Sequence, residues 1–453
     1  MKAPESASDD LALKPRSRTS NSVNDASPRV VLTAANCSLR MGGEAAIPYH
    51  IFRILRARGV DVHLVAHDRN KAELEESLQS DRGRLHFVAD DVFSKLAWRV
   101  GRWLPDRLHR GTLNVAAGLV VQARQRRLIL ELIAEHGIDV AHQCYPVSPA
   151  EPSLCYGLSV PVVIGPMNGG MEYAPGFRDL EGWFERTVVH FGRSLRHIAN
   201  RLFPGKREAD ILLIANDRSR QALPRGVRGA ILEMAENGID TSLWGKAGRN
   251  ALRAEGEVRF VYVGRLVEWK GVDLLLRAWS RLPEGLGARL EVIGDGPLRA
   301  DLEALSDHLG LSGKVEFSGY LPPEECAERL SRSDALVLPS LIECGGAVVL
   351  EAMASGLPVI ATGWGGPLDY LDESSGIFIR PGSRVEFIDA LAGAIRRLAG
   401  SAELRERMGE AARRRVMSYD WDAKVDRLLE VYRRAIASRE PTPGHIGRDR
   451  RRG

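Results

Sequence analysis

Glu343-Cys-Gly-Gly-Ala-Val-Val-Leu-Glu351-Ala-Met-Ala-Ser-Gly-Leu-Pro358-Val-Ile-Ala361 is the stretch on which the reading of this chain turns. Two carboxylates eight positions apart flank a glycine pair, and a helix of small residues lies between two apolar strands. Gly345 and Gly346 remove side chains where that helix begins, so its free N–H groups can approach an anion. Glu351 is expected about two turns further on, on a face shared with Ala347 and Ala354, whose small side chains leave room for a flat ligand. A carboxylate in such apolar company has to meet a cation or several hydroxyl donors, because an unpaired buried charge is strongly unfavourable. The plainer alternative is a capping acid and a surface acid on an ordinary crossover helix.

Working outward, the same alternation of apolar strands and amphipathic helices fills the second half. Strands are predicted at Val258-Arg-Phe-Val-Tyr-Val-Gly264, Arg289-Leu-Glu-Val-Ile-Gly294, Val315-Glu-Phe317, Ala335-Leu-Val-Leu-Pro339 and Pro358-Val-Ile-Ala361, with helices over Val272 to Leu282 and Leu298 to Leu309. The first half alternates likewise. A strand over Arg29-Val-Val-Leu-Thr-Ala34 leads to a helix with Ile47, Ile51 and Leu55 on one face. The runs at Val60 to Ala66, His86 to Val88, Asp139 to His142, Val160 to Gly165 and Ile211 to Ala215 follow. Such alternation predicts α/β architecture: two Rossmann-like, doubly wound parallel domains facing each other across a cleft. The expected division is a disordered segment at 1–27, domains at 28–235 and 236–415, a closing helix at 416–437 and a disordered basic tail at 438–453.

Bulk properties narrow the classes. With 453 residues, 63 basic against 59 acidic and a net charge of +4, the balance predicts no nucleic-acid partner. Five scattered cysteines without a Cys-x-x-Cys predict reduced thiols in a cytoplasmic protein. No run of about eighteen apolar residues predicts a spanning helix, and the first residues lack a secretory apolar core. Two basic amphipathic stretches, Trp98 to Arg110 and Trp183 to Arg207, suit either an exposed helix face or peripheral contact with an anionic membrane.

Arg265 and Lys270, five apart on the loop after a strand, suit the two phosphates of a nucleoside diphosphate. Gly363-Trp-Gly365-Gly366 offers backbone N–H groups to the same phosphates, while the turn at Gly294 is a weaker signal. In the first half, Gly42-Gly43-Glu44 is read as ending a strand and opening a helix, which suits a phosphate or a hydroxyl. His142 ends a strand and is the candidate polar group of the cleft, and Gly165-Pro-Met-Asn168-Gly-Gly170 is expected to face it too. A sugar nucleotide matches this set: a pyrophosphate for cations and helix start, vicinal hydroxyls for the acids. No spacing suits a metal; Asp90 and Asp91 are adjacent and point opposite ways.

The second half resembles the retaining GT-B glycosyltransferases of family 4. The resemblance rests on Gly264-Arg-Leu-x-x-x-Lys270-Gly-Val-Asp-Leu-Leu, Val292-Ile-Gly-Asp-Gly-Pro-Leu298, Val315-x-Phe-x-Gly319, Pro339-Ser-Leu-Ile-Glu343 and the E-x7-E run through Thr362. Asn237-Gly-Ile-Asp240 is similar to the family's interdomain turn, and the likeness spans roughly residues 29–435. It implies an acceptor-binding first domain and a donor-binding second one. Arg265 and Lys270 would hold and stabilise the leaving diphosphate, with no metal or other cofactor. Glu343 would bind the transferred sugar, and Glu351 the ribose. Gly43, Gly264, Gly294, Gly345, Gly346, Ala347 and Val348 complete the implied donor set. The family's cleft histidine falls at Cys144 here, so His142 is its expected substitute.

The activity this implies is retaining, metal-independent hexosyl transfer from a nucleoside-diphosphate sugar to a hydroxyl, in bacterial polysaccharide or glycolipid synthesis. A lipid-linked acceptor at the inner membrane face fits the basic stretches. Two rivals remain: a sugar-nucleotide 2-epimerase on the same scaffold, and a non-catalytic sugar-nucleotide binder. A dinucleotide-dependent oxidoreductase is disfavoured, since no Gly-x-Gly-x-x-Gly opens a helix with an acid about twenty residues later.

Overall fold

The computed structural model describes residues 27–41, 43–89, 114–181, 198–245 and 257–439. Expectations that fall on the two tails, Gly42, Asp90-Asp91, Trp98 to Arg110 and residues 182–197 of the second basic stretch lie outside these described residues. Among them, no helix is long and apolar enough to cross a membrane.

The first sheet comprises β1 Val30–Thr33, β2 Val62–His67, β3 Leu85–Val88, β4 Val140–Gln143, β5 Val162–Met167, β6 Ile211–Ile214 and β7 Ala230–Glu233, in the order β3-β2-β1-β4-β5-β6-β7. The second comprises β8 Val258–Val263, β9 Ala288–Ile293, β10 Val315–Gly319, β11 Ala335–Leu338, β12 Val359–Thr362 and β13 Gly376–Ile379, in the order β10-β9-β8-β11-β12-β13. Neighbouring strands are parallel throughout. β1, β4, β6, β11 and β12 are buried along their whole length, as strands covered by helices on both faces must be. The edge strands β7 and β13 escaped the sequence reading, being short and half-exposed with no long apolar run. β13 also follows the strand taken there as the last.

The helices around the cleft are α1 Ala46–Ala57, α2 Asn114–His136, α3 Val272–Trp279, α4 Ala347–Ala354, α5 Arg384–Ala399, α6 Ala402–Val416 and α7 Trp421–Arg439. The α5 start is fixed by a capping box between Ser383 and Glu386. Although α7 follows the second domain, its apolar face (Val425, Leu428, Val431, Tyr432) packs into the core of the first. In the opposite direction, the segment after β5 sends Tyr173, Ala174 and Phe177 into the second core. The domains therefore exchange buried surface at both crossings.

Both sheets reverse order at their centre, between β1 and β4 and between β8 and β11. Connections there leave in opposite directions and open a crevice at the carboxyl ends of the strands. The loops carrying Arg265, Lys270 and Glu343 follow β8 and β11, at that point of the second sheet.

Candidate functional site

Between the domains lies a cleft of about 710 Å³. Its walls include Gly43, Gly264, Arg265, Lys270, Gly294, Glu343, Gly345, Gly346, Ala347, Val348 and Glu351. Every residue of the set implied by the family resemblance except His142 is thus gathered in one cavity.

The second-domain wall is built from short loops directly after strands. Arg265 is exposed on the rim, and its guanidinium has no hydrogen bond or ion pair among the described residues. Lys270 closes a single turn that Gly271 ends at φ 66°, where an added Cβ would collide with the carbonyl oxygen of Pro339. Its Nζ lies 2.5 Å from Glu343 Oε2, with side-chain exposures of 18% and 10%. Removing either partner would leave the other largely desolvated and uncompensated. Beneath them, the Tyr262 hydroxyl donates to the carbonyl of Arg265 at 3.2 Å. Gly294, at φ 138°, brings its backbone against Gly264 too closely for a side chain.

Gly346 caps α4 at φ 69°, so the first N–H groups of the helix point out of its free end. Ala347, Val348 and Glu351 are the half-buried face of an otherwise buried helix. Two expectations are corrected here. Glu351 stands one turn into α4, not two, and Ala354 is buried in the core while Val348 takes its place on the cleft. The Glu351 carboxyl has no hydrogen bond or ion pair among the described residues, and burial pushes its pKa up to about 7.

The first-domain wall is made differently. β1 ends at Thr33, and Gly43 (φ 51°) opens the turn Gly43–Ala45 that runs into α1. The glycine loop therefore does not end the strand; a longer connection intervenes. Glu73 organises that connection, accepting from Leu39 N at 2.8 Å, Arg40 N at 3.1 Å and Ser38 Oγ at 2.6 Å. Arg40 is drawn outward to Glu76 at 3.2 Å.

His142 is not in the cleft. It is fully enclosed, its Nε2 donates to the Gly165 carbonyl at 2.6 Å, and its Nδ1 accepts from the Tyr432 hydroxyl at 2.7 Å. Burial lowers its pKa to about 4, so the ring is neutral. Cys144 is buried beside it and does not take over a cleft role. Two glycine loops are also reassigned. Asn168 lies beneath the cleft, donating to Glu236 Oε2 at 2.7 Å and to the Cys344 carbonyl at 2.8 Å. The Gly363–Gly366 loop supports the site from behind: Gly366 N donates to the Glu343 carbonyl at 2.7 Å and Trp364 Nε1 to the Glu172 carbonyl at 3.0 Å.

Sequence reasoning missed Glu236, Tyr320 and Cys326, and took Asn237 for a linker mark alone. Gly238 is needed there because the Trp421 ring lies 2.6 Å from where a Cβ would stand. Ile239 is then bonded to the parallel crossing, donating to the Tyr419 carbonyl at 2.9 Å and accepting from Trp421 N at 3.1 Å. All five cysteines are free, and among the described residues no group of three or more His, Cys, Asp or Glu is placed to hold a metal ion.

Residues 247–415 match the family model "Glycosyl transferases group 1". The second domain is thus similar to the group 1 glycosyltransferases, and the two facing Rossmann-like domains have the GT-B fold. It is 37% identical over 181 residues to sulfoquinovosyl transferase SQD2 of Arabidopsis thaliana, covering 39% of this chain and 33% of that protein. It is 33% identical over 247 residues to D-inositol 3-phosphate glycosyltransferase of Mycobacterium bovis, covering 51% of this chain and 49% of that one. The matches thus span a third to a half of these relatives. In fold, a glycosyltransferase from Rickettsia africae superposes with a TM-score of 0.62 at 15% identity, over 91% of this chain and all of that one. The Anabaena protein HepE, solved with UDP and glucose, does so with 0.58 at 17% identity, over 90% and all of the respective chains.

Proposed function

We propose that this protein is a retaining glycosyltransferase, moving a hexosyl group from a nucleoside-diphosphate sugar to an acceptor hydroxyl without a metal. The observation that carries the reading is the second-domain wall: Arg265 and Glu351, both without a partner among the described residues, Lys270 held on Glu343 and the open start of α4, all in one cleft. In this reading the diphosphate lies against Arg265, the amides of α4 and Lys270, which exchanges Glu343 for phosphate oxygen. Glu343, released, accepts hydroxyls of the transferred sugar; Glu351 accepts ribose hydroxyls. Tyr320, 65% exposed on the cleft, offers a ring face to the base. HepE binding UDP and glucose in the same fold supports a nucleotide-sugar donor.

As the glycosidic bond breaks, charge develops on the departing phosphate, where fixed cations and amides stabilise it most. The same phosphate oxygen takes the acceptor's proton, so the step needs no histidine base. We place the protein in the cytoplasm, with a lipid-linked acceptor and a peripheral membrane contact. Ile198 and Leu202, 58% and 67% exposed beside Arg201, support that contact, and co-sedimentation with anionic liposomes tests it.

The activity test is release of nucleoside diphosphate from UDP-, GDP- and ADP-sugars, with and without hydroxyl acceptors and with chelator present. Acceptor-dependent release and an axial or equatorial product matching the donor's anomer are expected. Conversion of donor alone to an epimer would contradict the reading, as would dependence on a metal.

A further inference from the structure

The hinge carboxyl Glu236 takes no part in the scheme above. Its side chain is 1% exposed, yet it belongs to the cleft wall. Asn168 Nδ2 fixes its Oε2 at 2.7 Å, and that oxygen also lies 2.7 Å from where a Cβ of Gly345 would stand. The carboxyl is thereby pinned between the end of β5 and the loop that opens α4. Its Oε1 has no hydrogen-bond partner among the described residues and is not among the sealed orphan atoms, so it keeps accessible surface on a residue that lines the cleft. Lys424 lies behind it; its Nζ donates to the backbone carbonyl of Glu236, and its charge acts on the carboxyl as well. The other groups facing the carboxyl are Glu44 and Asp369, which are acidic, and Cys344 and Tyr370, which are neutral. An enclosed oxygen with no donor of its own suits a ligand hydroxyl. Glu44 lines the same cleft, and burial raises its own pKa to about 7.

We infer that Glu236 is a specificity-determining residue that takes a saccharide hydroxyl on Oε1. The inference rests on the sugar-nucleotide reading of the cleft. Burial, reinforced by Glu44 and Asp369 and opposed by Asn168 and Lys424, raises the carboxyl pKa to about 8; in its protonated form it both accepts and donates. As pH rises through that value it ionises and turns against the nearby diphosphate.

The test uses the full chain, the nucleoside diphosphate among UDP, GDP and ADP that binds it, and that base's sugar conjugates. Glu236→Leu is expected to keep diphosphate affinity within about twofold while lowering kcat/KM for transfer about thirtyfold, the loss of one buried hydroxyl contact. Glu236→Gln, which preserves shape and a neutral amide, is expected to lose about threefold. It also removes the alkaline fall that the parent shows with a midpoint near pH 8. A raised KM for the donor assigns the hydroxyl to the transferred sugar, and a raised KM for the acceptor assigns it to the acceptor; either supports the inference. Unchanged kcat/KM in a folded, diphosphate-binding Glu236→Leu overturns it, as does an alkaline fall that persists in Glu236→Gln. Failure of the parent to bind any of the three diphosphates would instead sink the sugar-nucleotide reading.

Discussion

The two walls of the cleft reach the same cavity by different means. On the second-domain side, Arg265, Lys270 and Glu343 sit on short connections directly after β8 and β11, and the rigid sheet places them. On the first-domain side, Gly43 lies at the end of a long connection whose shape depends on Glu73. The second wall is a property of the fold, and the first is a property of one carboxylate. In the proposed reaction, charge stabilisation falls to the rigid side and acceptor selection to the adjustable one.

This contrast breaks first at Lys270. Lys270→Ala is expected to lower turnover at least about a hundredfold with unchanged circular dichroism, because a stabilising donor is lost and Glu343 is left unpaired. Near-normal turnover would remove the rigid wall from the chemistry. Glu73→Ala tests the other side: about a tenfold fall in kcat/KM is expected, with diphosphate affinity little changed, since three loop donors lose their acceptor. Equal loss of diphosphate affinity would show that the two walls are not separable.

The carboxylate Glu351 sharpens the comparison through pH. Its raised pKa of about 7 means it is largely protonated at pH 6, whereas hydroxyl donors favour its ionised form. Affinity for the intact sugar nucleotide, which has no phosphate titrating there, is therefore expected to rise about five- to tenfold from pH 6 to 8. Glu351→Gln should flatten that profile; a parental profile that is already flat would disconnect the residue from the ligand.

The smallest effect on activity is expected at His142. His142→Phe leaves the Gly165 carbonyl and the Tyr432 hydroxyl without partners, so a loss of about 2 kcal/mol in stability is expected with turnover within about twofold. The sign of the pH effect follows from the lowered pKa. Unfolded imidazole takes up its proton near 6.5 and the folded ring only near 4, so parental stability is lost as pH falls across that window. His50 and His63 are lowered to about 4 as well, so the variant should reduce this acid loss without abolishing it. A turnover loss beyond tenfold at a permissive temperature would return His142 to the reaction.

What was legible in the sequence follows the same division. The strand–loop–helix rhythm around Arg265, Lys270, Glu343 and Glu351 is local, so spacing suggested a shared site and the family resemblance assembled it; the structure places all four on one cavity. His142 was misread because a strand-end position does not reveal which face its side chain takes. Its partner, Tyr432, lies 290 residues away on α7. Glu236 went unnoticed because its neighbours Asn237 and Gly238 read as a turn, and only the fold shows Asn168 and Gly345 converging on it. The glycines at 363–366 misled for a related reason: they allow close packing behind Glu343, which looks in sequence like a phosphate loop.

The central claim is that the second-domain cations hold a nucleoside diphosphate. Isothermal calorimetry of the full chain with UDP, GDP and ADP is the direct measurement. One of the three is expected to bind with micromolar affinity, weakened about tenfold or more in Arg265→Ala. Heats indistinguishable from dilution for all three, or equal affinity in the variant, would contradict it.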